Sequence, residues 1–138
     1  MNKIYVFDAC ALIALLSKET GYENVEKIIN EAKNKKATII IHKINLYEVY
    51  YHICKFYDEA SAINFLAEIK QSPIQINTEI TDELIIKAGN LKRRYRMSLA
   101  DSIGLGETII CNGTFVTADH HELDTVDKKE NISFTWIR

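Results

Sequence analysis

The chain alternates between short runs of β-branched or aromatic residues and longer stretches with helical periodicity, and this alternation constrains its fold more than any other feature. The strand-like runs are Ile4–Phe7, Thr38–Ile41, Ile74–Ile76, Thr114–Thr117 and Ile132–Trp136. Helical stretches cover 10–16, 22–36, 43–57 and 58–71, and two more begin after the cap residues Thr81 and Ser98, ending near Arg96 and at Gly113. Alternating strands and helices predict βαβ units, and therefore an α/β fold whose parallel sheet is covered by helices on both faces.

Length and composition indicate one globular domain. The chain has 138 residues, 47% of them apolar and 26% charged, and its net charge of −2 gives no strong attraction to nucleic acids or membranes by itself. The three cysteines are far apart and lack a zinc-site spacing, so we interpret them as reduced, mostly buried thiols. The longest uncharged apolar run, 9–16, is too short to span a bilayer, and the start of the chain does not resemble a secretion signal. We therefore expect a single cytoplasmic domain over residues 1–138 that does not enter the membrane.

An aspartate follows each of two strand-like runs. Asp8 comes directly after the apolar run "IYVF", and Asp119 comes two residues after "TFVT". Because ligands in parallel α/β sheets bind beyond the carboxyl ends of the strands, we expect these two side chains to lie at one edge of the sheet. An unpaired carboxylate at the end of a buried strand is costly, so Asp8 in particular requires a partner.

Two further acids lie on predicted helices. Glu48 shares one helical face with Asn45. Asp101 falls in the first helical turn after Ser98, where the helix dipole favours negative charge. Taken singly, Glu48 is typical of a solvated helix position, Asp101 of an ordinary first-turn acid and Asp119 of a turn.

Taken together, the four carboxylates favour a site for a hard divalent cation. Two like charges about 4 Å apart repel by roughly 4 kcal/mol at an effective dielectric constant of 20, so several of them require a cation or must be protonated. An all-oxygen set without histidine or cysteine is typical of Mg²⁺ or Mn²⁺, which proteins hold with a few carboxylates, water and substrate phosphate. Such a site at the edge of a small α/β domain suits phosphodiester hydrolysis without a nucleophilic side chain.

Four stretches of the chain resemble the acidic blocks of PIN-domain nucleases. They are "YVFDACALIALL", "INLYEVYY", "MSLADSIGLGETII" and "GTFVTADHHELD", and their order is similar to that in the VapC-type toxins of type II toxin–antitoxin pairs. The resemblance implies a three-layer α/β/α sandwich with a mainly parallel sheet, and it implies that the catalytic, metal-binding acids are Asp8, Glu48, Asp101 and Asp119. It further implies an endoribonuclease that cleaves RNA with Mg²⁺ or Mn²⁺, forms homodimers and is inhibited by a cognate antitoxin.

A few further residues are expected to assist the four acids. The resemblance implies that Thr117 hydrogen-bonds Asp8 and that Asp124 matches an additional acid that some family members carry. Asn45 is expected to orient its neighbouring glutamate or the substrate phosphate. The family commonly has threonine or serine after the first aspartate, whereas this chain has Ala9, so a hydroxyl group beside the metal is missing.

A basic cluster and an aromatic cluster each have two interpretations. Arg93, Arg94 and Arg96 form either a solvated helix end or a patch that contacts RNA phosphates. The aromatic residues of the 43–57 stretch either pack in the core or line a groove for a dimer partner or an antitoxin. The two histidines after the last acid of the set are expected on a surface turn.

Two rival functions are considered. A phosphotransferase with Asp8 as its nucleophile, as in haloacid-dehalogenase-like phosphatases, requires a second aspartate two residues later, where this chain has Cys10. The other rival is a catalytically silent PIN-fold module that binds RNA or a partner protein. The presence of all four acids argues against this second rival.

Overall fold

The structure, a computed structural model that describes residues 2–138, is built around a five-stranded sheet. The strands are β1 (Lys3–Phe7), β2 (Ala37–His42), β3 (Ile74–Asn77), β4 (Thr114–Thr117) and β5 (Ser133–Trp136). They lie in the order β3-β2-β1-β4-β5, and every neighbouring pair is parallel. The chain builds one side of the sheet from β1 through β2 and β3, and then crosses to the other side at β4. In sheets of this kind, ligands bind in the crevice where the strand order reverses, which here lies beyond β1 and β4.

Seven helices within residues 2–138 cover the two faces of the sheet. They are α1 (Ala9–Ser17), α2 (Tyr22–Lys33), α3 (Lys43–Phe56), α4 (Glu59–Lys70), α5 (Asp82–Arg94), α6 (Leu99–Cys111) and α7 (His120–Lys129). Buried side chains of α1 to α4 pack with Phe7 and Ile39 on one face. Those of α5 to α7 pack with Val6 and Phe115 on the other face. The predicted three-layer α/β/α sandwich with a parallel sheet is therefore confirmed.

The central strand β1 shows why the strand-like runs are apolar without interruption. Tyr5 and Phe7 pack with the α1–α4 layer, whereas Val6 packs with the α5–α7 layer, and all three are at most 6% exposed. Since helices cover both faces of a parallel sheet, side chains that point to either face must be apolar. β1 ends at Phe7, which pairs with Val116 of β4, so the next residue enters the crevice.

The predicted elements agree with the structure at all five strands and at the first six helices, with ends that differ by a few residues. The α2 helix ends at Lys33, earlier than expected, and Lys35 takes a left-handed conformation with φ of 59°. Asn112 rather than the predicted Gly113 takes the left-handed conformation that ends α6, with φ of 54°. Asparagine is the non-glycine residue best suited to that conformation.

Helix α7 was not predicted: the two histidines after Asp119 are exposed, as expected, but they lie in the first turn of this helix rather than in a turn between elements. Only Leu123 and Val126 of this helix are buried, so its apolar periodicity is short and weak. Its start nevertheless carries a recognisable signal. Asp119 Oδ1 accepts a hydrogen bond from the backbone N–H of Glu122 at 3.2 Å, in the manner of a helix cap.

The aromatic residues of α3 and the residue after it are mostly exposed. Tyr47, Tyr51, Phe56 and Tyr57 are between 54% and 67% exposed. Packing in the core, one of two expectations for these residues, is therefore wrong for all four. These side chains are exposed on α3 and at its end, and helix α3 belongs to the α1–α4 layer.

Two further expectations concern the thiols and the membrane. All three cysteines are free, and each is half-buried rather than fully buried. In the part of the chain that the structure describes, no helix combines the length and the apolar character required to cross a bilayer.

Candidate functional site

Asp8 lies at the carboxyl end of β1 and caps helix α1. Its Oδ1 accepts a hydrogen bond from the backbone N–H of Ala11 at 3.0 Å, and its Oδ2 accepts one from the hydroxyl of Thr117 at 2.5 Å. The residue is 1% exposed, and this burial raises the pKa of its carboxyl to about 7. The two hydrogen bonds oppose that rise in pKa, whereas the charges of Asp119 and Glu48 add to it. Asp8 is therefore a buried acid with like charges nearby.

Thr117, the last residue of β4, links two of the predicted acids. Its buried hydroxyl donates to Asp8 and accepts a hydrogen bond from the backbone N–H of Asp119 at 3.1 Å. The parallel register places Thr117 beside Asp8, since the preceding pair is Phe7 and Val116. The adjacent ends of β1 and β4 thus fix the relative positions of both carboxylates.

Asp101 enters the crevice from the first turn of α6. The hydroxyl of Ser98 caps this helix by accepting a hydrogen bond from the backbone N–H of Asp101 at 3.0 Å, as predicted. Asp101 is only 9% exposed, and burial raises the pKa of its carboxyl to about 8. A hydrogen bond with Glu122 and the charges of Asp8 and Asp119 raise this pKa further. The α6 cap therefore presents a third carboxylate to the same crevice.

Glu122 was not predicted as a site residue, yet its carboxylate lies with two of the predicted acids. Asp101, Asp119 and Glu122 each offer one oxygen, and these three oxygens all lie within 4.8 Å of one another. Oε2 of Glu122 also accepts a hydrogen bond from the backbone N–H of Ser98 at 3.3 Å, which holds the start of α6 against α7. The signal that identifies this residue is the spacing Asp119-x-x-Glu122 ahead of Leu123, which is typical of a helix start.

Glu48 approaches the other acids from α3. The residue is exposed, and partial desolvation together with the charge of Glu122 raises the pKa of its carboxyl. Asn45, nearly one turn earlier, is fully buried, and its Nδ2 donates to the carbonyl of Ala100 at 3.3 Å. Within residues 2–138, Asn45 Oδ1 has no hydrogen-bond partner. The hydrogen bond from Nδ2 of Asn45 joins α3 to the first turn of α6, the helix that carries Asp101.

Asp124, the additional acid that the resemblance implies, pairs with a histidine of its own helix. Its Oδ1 lies 2.7 Å from Nδ1 of His120. Nε2 of His120 lies 2.7 Å from the carbonyl oxygen of Arg138, and its ring stacks on Trp136. Asp124 does not belong to the group of three carboxylates described above, and its contacts connect α7 to the end of the chain.

The three arginines of the candidate RNA patch lie at the end of α5 and directly after it. Arg94 forms an ion pair with Glu130 at 3.1 Å, and Arg93 hydrogen-bonds a side chain of its own helix. Arg96 is exposed in the connection between α5 and α6. Arg94 and Arg96 line the same cavity as Glu122, so this basic segment borders the acidic group.

The acidic group carries negative charge without a compensating basic residue. No ion pair in the described part of the chain involves Asp8, Glu48, Asp101, Asp119 or Glu122. Burial and the nearby like charges together raise the pKa values of three of these acids. An all-oxygen donor set of this kind fits a hard divalent cation such as Mg²⁺ or Mn²⁺, which would neutralise the repulsion.

Comparison with known proteins places the chain among proteins of the same architecture. The family model for the PIN domain matches residues 5–129. No curated protein matches the chain.

Three solved structures share the fold. A toxin–antitoxin complex from Klebsiella pneumoniae is similar with a TM-score of 0.67 at 17% identity, over 97% of this chain and 98% of that chain. VapBC2 from Rickettsia felis, bound to a DNA fragment from its promoter, has a TM-score of 0.70 at 22% identity, over 96% and 97% of the two chains. Mycobacterium tuberculosis VapC20, a Sarcin-Ricin loop cleaving toxin, has a TM-score of 0.65 at 13% identity, over 82% and 87%. At these identities the similarity establishes the fold.

Proposed function

Since the chain belongs to the PIN-domain family, we propose that it is a divalent-metal-dependent endoribonuclease and the toxin of a type II toxin–antitoxin pair. One observation carries the proposal. The ends of β1 and β4, helix α3 and the starts of α6 and α7 bring acids into one crevice, and no basic residue in the described part of the chain pairs with them. A crevice of this kind is suited to a cation and a phosphate rather than to an uncharged ligand.

The proposed metal ligands are the acids at the centre of the crevice. Asp8, Asp101 and Asp119 would bind the metal directly, and Glu122, which offers an oxygen within 4.8 Å of oxygens of Asp101 and Asp119, would support them through its charge. Glu48 would bind through water or position the attacking water. When bound, Mg²⁺ or Mn²⁺ neutralises charge on the substrate phosphate and lowers the pKa of water.

The side chains around the ligands have roles of their own in this proposal. Glu48 has a raised pKa and access to solvent, so its carboxylate is a stronger base toward water than an ordinary glutamate. Thr117 fixes the orientation of the Asp8 carboxylate through its hydroxyl. Ser98 fixes the first turn of α6, and with it the backbone of Asp101. These fixed positions reduce the reorganisation that the site requires during hydrolysis.

The proposed toxin role rests on similar structures and on exposed aromatic residues of α3 and its end. One similar structure is a toxin–antitoxin complex, and another is a Sarcin-Ricin loop cleaving toxin. We propose RNA as the substrate and a cognate antitoxin as the partner that covers the exposed aromatic residues Tyr47, Tyr51, Phe56 and Tyr57. Aromatic residues are enriched in the cores of protein interfaces. A homodimer is proposed on the resemblance alone.

Cleavage of RNA with and without a chelator tests the proposal. We expect the purified protein to cleave RNA in Mg²⁺ or Mn²⁺ and to stop when EDTA is added. Asp101→Asn removes a ligand and relieves a buried repulsion, so the variant is expected to fold and to lose cleavage. The control is Asp82→Asn, which changes an exposed acid in the first turn of α5 and is expected to retain cleavage. RNA that binds but stays intact in the presence of metal would instead favour the catalytically silent binding module.

A further inference from the structure

A cavity of about 390 Å³ opens between the end of α5 and helix α7. It is lined by Arg94 and Arg96 on the α5 side and by Glu122 and Lys129 on the α7 side, and we term it the basic cleft. Glu122 also belongs to the carboxylate group of the candidate site. The basic cleft and the acidic crevice therefore share a wall.

Some basic residues near this cleft already form hydrogen bonds or ion pairs within the chain, and others do not. Arg94 pairs with Glu130 at 3.1 Å, and Nζ of Lys92 donates to a backbone carbonyl of the α5–α6 connection at 2.9 Å. Arg96 and Lys129, by contrast, are exposed and form no hydrogen bond or ion pair with another side chain of residues 2–138. These two side chains are the cations available to a ligand.

The backbone on both sides of the cleft is fixed by hydrogen bonds. Lys92 holds the carbonyl of Met97, the residue after Arg96. The backbone N–H of Ser98 donates to the Glu122 carboxylate at 3.3 Å and so joins the α5–α6 connection to α7. The backbones of the two walls are therefore held in place, so that binding an anion requires the ordering of side chains only.

We propose that the basic cleft binds a phosphate of the RNA substrate that neighbours the scissile phosphate, with Arg96 and Lys129 as its contacts. The inference rests on the proposed nuclease function. An RNA strand carries a phosphate at every nucleotide, so a strand whose scissile phosphate lies at the carboxylates must continue over the adjoining surface. On the α7 side that surface is the basic cleft. A carboxylate of a peptide would meet the same two cations and the same repulsion from Glu122, but it would have no neighbouring phosphate to anchor it.

The test separates RNA binding from RNA cleavage. Binding of a fluorescent single-stranded RNA to the full chain is measured by anisotropy in EDTA over a range of salt concentrations, and cleavage of the same RNA is measured in Mn²⁺. We expect Arg96→Gln and Lys129→Gln each to weaken binding by about five- to tenfold and to lower the slope of log affinity against log salt by about 0.7. In the cleavage assay KM is expected to rise by the same factor with kcat unchanged, because the contact is the same in the ground and transition states.

The matched control is Lys87→Gln, which removes an exposed charge of the same helix but does not line the cleft. Both test residues are exposed, so the thermal midpoints of the variants should stay at the wild-type value. Wild-type affinity and salt slope in both test variants would overturn the proposal, and so would an equal loss in the control.

The binding and cleavage measurements also distinguish this proposal from the nuclease function. If the wild-type chain cleaves no RNA but its binding depends on Arg96 and Lys129, the cleft stands and the nuclease function fails. If the variants cleave RNA with an unchanged KM, the cleft proposal fails and the nuclease function stands. In that case the free cations of the cleft remain available to an acidic protein partner.

Discussion

The carboxyl edge of the sheet holds two groups of buried acids, and they accommodate negative charge in different ways. In the first group, beyond β1 and β4, Asp8 and Asp101 lie among like charges, and their pKa values are raised to about 7 and about 8. In the second group, beyond β2 and β3, the single acid Glu107 is 5% exposed and accepts a hydrogen bond from the side chain of Asn77. A single buried carboxylate is free of like-charge repulsion and receives one donor here, at Oε2, whereas several together require a cation.

The second group is a polar network in which Oε1 of Glu107 has no hydrogen-bond partner within residues 2–138. Nδ1 of the buried His42 accepts a hydrogen bond from the backbone N–H of Ile44 at 3.2 Å, and Nε2 lies 2.8 Å from the carbonyl oxygen of Glu79. Burial raises the pKa of Glu107, while the hydrogen bond from Asn77 and the charge of His42 lower it. The network joins the ends of β2 and β3 to α6. Its position, away from the point where the strand order reverses, separates it from the first group.

The largest expected difference between the two groups is in catalysis. We expect Asp101→Asn to lower RNA cleavage by more than about 100-fold, because a direct metal ligand matters at least as much as the outer partners of a metal site. Glu107→Gln keeps the size of the side chain and an oxygen that accepts from Asn77, so cleavage should stay at the wild-type rate. Rates in saturating Mn²⁺ measure both effects. An equal loss of cleavage in Glu107→Gln would place this residue in the catalytic site and contradict the distinction between the two groups.

The next difference is in how stability depends on pH. The raised pKa values of Asp8 and Asp101 mean that folding favours their protonated carboxyls. This contribution is complete below the unfolded-state pKa of ~4 and is lost as pH rises through 7 and 8, so the metal-free protein should be less stable at about pH 8.5 than at about pH 6. Mn²⁺ should stabilise the protein more at the higher pH, because carboxylates bind it in their deprotonated form.

Thermal unfolding in EDTA and in Mn²⁺ at the two pH values measures this dependence. Glu107→Gln serves as the control, since it should leave the gain from Mn²⁺ unchanged. A midpoint that rises between pH 6 and pH 8.5 in EDTA would contradict the assignment of Asp8 and Asp101 as the acids that oppose folding.

The sequence was sufficient to locate the first group but not to complete it. Asp8 could be predicted because a carboxylate directly after an uninterrupted apolar strand leaves few alternatives. Glu122 could not, because its position depends on the packing of α7 against α6, and α7 has only two buried apolar residues to indicate a helix. The second group was missed for a different reason. Glu107 and Asn77 are 30 residues apart, and their pairing follows from the arrangement of the sheet rather than from any local pattern.

The exposed aromatic residues of α3 show a further limit of sequence reasoning. Periodicity indicates which residues share a helical face, but not whether the same chain covers that face. Tyr47 and Tyr51 are aromatic, which is typical of a buried helical face, yet both are more than half exposed. Their burial would depend on a partner, which periodicity within one chain does not describe.

Smaller effects, on stability and on Mn²⁺ affinity, are expected when the hydrogen bonds that support the two groups are removed. Thr117→Val keeps the shape of the side chain but removes the donor to Asp8 and the acceptor for the backbone of Asp119. We expect a loss of about 1–3 kcal/mol in the free energy of unfolding and about tenfold weaker Mn²⁺ binding. Asn77→Leu removes the donor to Glu107, so it should lower stability and leave Mn²⁺ affinity unchanged. Urea unfolding and Mn²⁺ titration separate these effects, and a loss of Mn²⁺ affinity in both variants would remove the distinction between the two groups.

The smallest effect is expected from Glu122→Gln, at the point where the acidic crevice meets the basic cleft. Glutamine retains an oxygen that accepts from the backbone of Ser98, but it lacks the charge that raises the pKa values of Glu48 and Asp101. The acidic limb of the pH–rate profile should therefore move to lower pH by less than about one unit, with a maximal rate that falls only about three- to tenfold. Asp124→Asn, on the same helix but outside the group, should leave the profile in place. An unmoved profile in Glu122→Gln would show that the reacting groups do not sense this charge, and would restrict Glu122 to holding α6 against α7.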